Sequence, residues 1–150
     1  MNTIVAIDPG QTTGVCAIRE AHKFDDFRVV GTWQIPWENR VSFFVALFSG
    51  TFALGKSKSL LPEVVVIENF HLRPGRALEQ IGSEFPSVRV IGIVEVLVAL
   101  CCPKPLLVFQ DPSVIGRVSI LPEHEERLAG LIHAQDAYRH ARYYHITTRR

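Results

Sequence analysis

Cysteine is scarce in this 150-residue chain: there are three, with Cys101 and Cys102 adjacent and Cys16 alone. An odd count with a neighbouring pair is a poor disulfide framework, and no CxxC pair suggests a zinc site. The pattern fits reduced, buried thiols in an intracellular protein. An excess of charge of either sign is also lacking. Sixteen Lys and Arg stand against fifteen Asp and Glu, a formal net charge of +1. The strongly basic signature of a dedicated nucleic-acid binder is therefore missing, although a cluster of catalytic carboxylates would mask basic surface in that sum. Long hydrophobic runs are missing too. The most apolar stretch, 88–102, is interrupted by Arg89 and Glu95 and falls short of the roughly 20 residues a membrane-spanning helix needs. Residues 3–7 open on an apolar strand pattern rather than on a basic segment followed by an apolar one, so no secretory signal is expected and the protein is expected to be cytoplasmic. Internal repeats and low-complexity segments are absent.

What is present is enough for a real core. Hydrophobic residues make up 47% and charged residues 21%, which suits one globular domain over 1–150, with a C-terminal tail from about 146 expected to be loosely ordered. Three strands are expected over 3–7, 14–19 and 27–35, where β-branched and aromatic residues are bounded by Gly, Pro and Asp. Their short connections make them an antiparallel meander. Val41, Phe44, Val45 and Phe48 have helical spacing within 37–49. Residues 63–67, Glu-Val-Val-Val-Ile, read as a strand buried on both faces. The stretch 87–100 reads as an apolar helix, 105–109 as a fifth strand stopped by Asp111-Pro112, and about 133–145 as a last helix. Helical crossovers between the later strands imply parallel pairing. The expected fold is a mixed five-stranded α/β sheet, an antiparallel meander followed by parallel strands, with helices on both faces.

Three places carry candidate chemistry. Asp8 ends the first strand in Ile7-Asp8-Pro9-Gly10-Gln11-Thr12-Thr13-Gly14, and Glu68 ends the fourth in Val66-Ile67-Glu68-Asn69-Phe70. A carboxylate straight after a buried apolar strand is costly unless something compensates it. His133 and Asp136 open the last helix, and their three-residue spacing puts them on one face. Oxygen-rich donors of this kind suit magnesium, which prefers carboxylates and water. Two such ions, about 4 Å apart, can clamp the attacking and leaving oxygens of a phosphodiester, and no covalent nucleophile is then needed.

Asp8-Pro9-Gly10 with Thr13-Gly14 beyond it, Glu68 after a buried strand, and His133-x-x-Asp136-Ala137 at the start of the last helix resemble the motifs of RuvC-type Holliday junction resolvases. The resemblance spans nearly the whole chain, in order. It implies an RNase H-like fold, a homodimer, two Mg²⁺ (or Mn²⁺) ions per site, no nucleotide cofactor, and paired nicks across four-way or branched DNA. It would make Asp8, Glu68 and Asp136 metal ligands, and His133 either a ligand or the group that positions or deprotonates the attacking water. The family carries an aromatic residue just after its second acid that wedges or stacks at the junction; here Phe70 and His71 stand two and three residues after Glu68, a shifted position. A compact chain without an extra module is similar to a phage-type or stand-alone member, which would work in a host cytoplasm if phage-encoded.

Plainer readings compete at each position. Asp-Pro-Gly is also an ordinary turn, Glu68 could end a strand at the surface, and Asp136 could simply complement the helix dipole. Asp111 before Pro reads as a turn residue, and Glu123, Glu125 and Glu126 after Pro122 suit a solvated first helical turn. Glu95 could be a paired core residue or an interface residue. Arg73 and Arg76, close after Glu68, are the favoured DNA contacts, with Lys56, Lys58, Arg139, Arg142, Arg149 and Arg150 as solvated charges or further phosphate contacts. Phe70 beside these arginines supplies the basic and aromatic mix that holds unpaired bases. The helix at 88–100 has no wide polar face, and Gly92 would admit another backbone; a dimer interface and burial under the sheet both fit. Three rival functions remain: a related nuclease that processes structured RNA, a two-domain nucleotide-binding ATPase fold that shares the Thr-Thr-Gly loop but needs more chain, and a non-catalytic junction-binding module.

Overall fold

In a computed structural model of the chain, residues 2–21, 26–52, 60–70 and 85–148 are described. Among the described residues there are five strands: β1 (Thr3–Asp8), β2 (Thr12–Glu20), β3 (Phe27–Pro36), β4 (Val64–Glu68) and β5 (Leu106–Gln110). The α-helices among the described residues are α1 (Arg40–Phe48), α2 (Pro86–Leu100), α3 (Pro122–Leu128) and α4 (Ile132–Thr148). The sheet order is β3-β2-β1-β4-β5. β1, β2 and β3 pair antiparallel, whereas β4 lies parallel to β1 and β5 parallel to β4. This is the mixed sheet expected from the strand and helix order. The start of the helix expected over 37–49 is a 3-10 turn at Trp37–Asn39. The last helix runs on to Thr148 rather than stopping near 145.

Strand alternation divides the core into two layers. Val5, Ile7, Val15, Ala17, Ile35, Val65 and Ile67 face Phe44, Leu47 and Phe48 of α1 and Val90, Val94 and Val98 of α2. Ile4, Ala6, Cys16, Ile18, Phe27, Val29, Val64 and Val66 face Leu128 of α3 and Ala134, Ala137, Tyr138 and Ala141 of α4. β1 is therefore apolar on both sides, which explains its continuous Ile-Val-Ala-Ile run. Each fully buried Val or Ile contributes roughly 1.5–3 kcal/mol relative to exposure, so the end of β1 is among the best-anchored points in the molecule.

The small residues on α4 let it lie close against the sheet. At Gly14 the approach is closest: a Cβ there would sit 2.0 Å from the carbonyl oxygen of His133. Helix α4 runs from this contact toward the far end of β2, where His145 Nδ1 meets Glu20 Oε1 at 3.0 Å. Helix α2 packs by one face only. Its Val88, Val96 and Leu100 are exposed, so burial under the sheet, one of the two readings of this helix, holds for one face only, and Glu95 is on the solvent side. Among the described residues, no helix is long and apolar enough to cross a membrane.

Candidate active site

Parity and register bring the acids together. Asp8 follows Ile4 and Ala6 on β1, and Glu68 follows Val64 and Val66 on β4, so both side chains leave the sheet on the α4 face. Ile7 pairs with Ile67, so Asp8 and Glu68 are neighbours across adjacent parallel strands. Asp8 also pairs with Gly14, Gly14 with Gln34, and Glu68 with Gln110. One row thus crosses all five strands, from Gln34 through Gly14, Asp8 and Glu68 to Gln110. The start of α4 lies over that row and adds His133 and Asp136.

The placement of α4 depends on two residues that sequence reasoning did not single out as site residues. Gln34 Oε1 accepts the His133 N–H at 2.9 Å, which satisfies one of the donors a helix start leaves open. Gly14 supplies the space for the His133 backbone. The loop after Asp8 is tied as well: Thr13 Oγ1 donates to Gly10 O at 3.2 Å, and Ser87 Oγ at the start of α2 donates to Pro9 O at 2.7 Å.

Each carboxylate has a nitrogen partner. Asp8 Oδ2 lies 3.0 Å from His133 Nδ1, Glu68 Oε2 lies 3.0 Å from His140 Nε2, and Asp136 Oδ1 accepts from Arg139 Nη1 at 2.5 Å. Asp8 is the most perturbed. Burial raises its pKa to about 6, the hydrogen bond from His133 opposes the rise, and the negative charges of Glu68 and Asp136 add to it. The side chain of Asp8 is 14% exposed and that of His133 45%, so the site is sealed on the sheet side and open beyond the histidine.

Among the described residues, no group of three His, Cys, Asp or Glu side chains is gathered closely enough to hold a metal ion. The donors nevertheless suit a divalent cation. The charges of Glu68 and Asp136 raise the proton affinity of Asp8, and a cation among them would relieve that repulsion. Asp8, Glu68, Asp136 and the imidazole of His133 are the residues that could hold it.

Of the expected DNA contacts, Phe70 is half-buried, with its ring 5.4 Å from that of Phe85. His71, Arg73 and Arg76 lie outside the described residues, as do Lys56, Lys58, Arg149 and Arg150. Arg142 Nη1 donates to Ser119 O at 2.6 Å. Asp111 accepts Ser113 N–H at 2.8 Å and caps a 3-10 turn, as its turn reading expects. Glu123, Glu125 and Glu126 are exposed on α3.

The fold recurs in solved structures. RuvC from T. thermophilus in complex with a Holliday junction substrate matches with a TM-score of 0.62 at 15% identity, over 99% of this chain and 96% of that one. A fowlpox virus resolvase in complex with Holliday junction DNA matches with a TM-score of 0.64 at 9% identity, over 99% of each chain. The chain has the fold of these resolvases. A second fowlpox virus Holliday junction resolvase structure gives a TM-score of 0.62 at 11% identity, over 97% of this chain and 99% of that one. No family model matches the sequence, and no curated protein sequence does. The mixed-sheet fold expected from the RuvC resemblance is therefore shared with these structures at 9–15% identity.

Proposed function

We propose that the protein is a divalent-metal-dependent endonuclease that resolves four-way or branched DNA by paired hydrolytic nicks, acting as a homodimer. One observation carries the reading. Asp8, Glu68 and the His133–Asp136 turn come from three separate parts of the chain and meet at one end of the sheet. Two of the structures with this fold were solved on Holliday junction DNA, which supports branched DNA as the substrate over structured RNA.

Asp8, Glu68 and Asp136 would hold Mg²⁺ or Mn²⁺, two ions per site, which when bound supply Lewis-acid activation of the phosphodiester and an ionised water. His133 is the most exposed of the four, and its Nδ1 is the nitrogen engaged by Asp8. That contact orients the ring and leaves Nε2 on the open side, where it can hold or accept a proton from the attacking water. Gln34 and Gly14 keep His133 and Asp136 in register with the strand ends. Phe70, His71, Arg73 and Arg76 follow Glu68 in the chain and would contact the junction, the arginines through phosphates and the rings by stacking on exposed bases. No nucleotide cofactor is needed for hydrolysis, and the work belongs in a cytoplasm that carries the DNA.

The test is cleavage of labelled four-way junction, linear duplex and structured RNA, in Mg²⁺, Mn²⁺ and chelator, with Asp8→Asn, Glu68→Gln and Asp136→Asn alongside. Symmetric nicks on the junction, lost in chelator and in each variant, are the expected result. Cutting of RNA alone would move the function to RNA processing. Binding of the junction without cutting in either metal would leave a binding module and refute the mechanism.

A further inference from the structure

Glu68 is held from behind by a polar chain that runs through the protein interior. His140 stands one helical turn beyond Asp136 on α4 and is fully buried, with its Nε2 3.0 Å from Glu68 Oε2. Its Nδ1 lies 2.8 Å from Oε1 of Gln110, which is also buried and is the strand partner of Glu68. An ionised carboxylate only accepts hydrogen bonds, so Nε2 carries the proton toward Glu68. Gln110 Oε1 stands against the opposite ring nitrogen, so both ring nitrogens have a side-chain partner. Among the described residues, Glu68 Oε1 accepts no hydrogen bond, so one oxygen is fixed and the other is left for the site.

We infer that His140 is a positioning residue for the nuclease centre, one that orients Glu68 toward its metal through the Nε2–H···Oε2 bond while Gln110 orients His140. The inference rests on the reading of Glu68 as a metal ligand. Packing alone does not call for this arrangement. Burying an imidazole costs stability unless hydrogen bonds compensate it, and an apolar side chain would fill the same space beside Ala137 and Ala141 without that cost. Partners that orient a ligating carboxylate set its affinity for metal, and their loss weakens binding about 10–100-fold.

The test is Mn²⁺ affinity of the full chain, measured from free-ion electron paramagnetic resonance, for wild type, His140→Ala, His140→Gln and His140→Asn. A glutamine amide nitrogen can take the place of Nε2, whereas the shorter asparagine amide reaches only as far as Nδ1. His140→Ala and His140→Asn should bind Mn²⁺ about tenfold or more weakly, and His140→Gln should recover to within about threefold of wild type. Thermal melts of the two amide variants should agree, which a purely structural role would not separate from metal binding. If His140→Ala does not fold, the Gln and Asn pair decides alone. Equal affinity in those two variants, with wild type binding and cutting, overturns the positioning role and leaves the nuclease reading intact. A wild type that neither binds Mn²⁺ nor cuts any substrate overturns both.

Discussion

Asp8 is charged at neutral pH only against its surroundings. A carboxylate whose pKa is raised from 3.8 to about 6 binds protons more tightly folded than unfolded, so its contribution favours folding below pH 4 and is lost as pH rises toward 6. A rise of that size corresponds to about 3 kcal/mol. Asp8→Asn removes the ionisable group and keeps an oxygen that can face His133. In chelator, the variant should be more stable than wild type by up to about 3 kcal/mol at pH 8, with the gain vanishing near pH 4. Denaturant melts at the two pH values check this, and equal stability at pH 8 would contradict it. Divalent metal should then raise the melting temperature of wild type and leave Asp8→Asn nearly unmoved. Stability given up at this one residue is the expected mark of a site held ready for a cation.

At the scale of elements, the site is a matter of how α4 is seated on β2. Gly14 has no side chain to part them, and the atoms a Cβ would strike are backbone atoms of His133 and Ala134, which cannot rotate away. Gly14→Ala should therefore lift the start of α4. Overpacking of this kind costs about 1–3 kcal/mol, and displacing His133 and Asp136 by about 1 Å should lower cutting on the order of 100-fold. A folded Gly14→Ala protein, shown by circular dichroism, with near-wild-type cutting would refute the seating argument. The same elements show what could be read beforehand. Asp8 and Glu68 stood out because an acid ending an apolar strand is conspicuous along the chain. His133 and Asp136 stood out by their spacing. Gln34, Gly14 and Gln110 act through cross-strand register, which local pattern does not encode: Gly14 reads as the start of a strand, and nothing local shows that the His133 backbone lies against it. His140 did leave a signal, a polar residue four places after Asp136 on a helix face otherwise lined by Ala137 and Ala141, but its partner on β4 is 72 residues away. The 3-10 turn at Trp37–Asn39 runs directly into α1, so local pattern does not separate the two.

At the scale of the whole molecule, paired nicks need two sites related by a twofold axis, and the surface offers a face for that axis. Val88, Val96 and Leu100 are exposed along α2, and Val41 and Val45 along the neighbouring α1. Gly92, between Val88 and Val96, meets nothing within 4 Å of where a Cβ would be, so another backbone can come close there. An isologous pairing would bury this stripe against itself, and an exposed apolar stripe on a single chain is otherwise a liability. Leucine at 100 and valine at 96 are the most exposed of the set, so Val96→Asp with Leu100→Asp puts two like charges on each side of a twofold contact. The double variant should shift the mass from dimer to monomer in light scattering. Because Asp8, Glu68 and Asp136 do not involve α2, its Mn²⁺ affinity should stay within about threefold of wild type, well inside the 10–100-fold expected from a disturbed ligand. Symmetric double nicking should give way to single, uncoupled nicks. Retained dimer mass would move the interface elsewhere on the molecule, and paired nicking by a proven monomer would remove the need for a dimer.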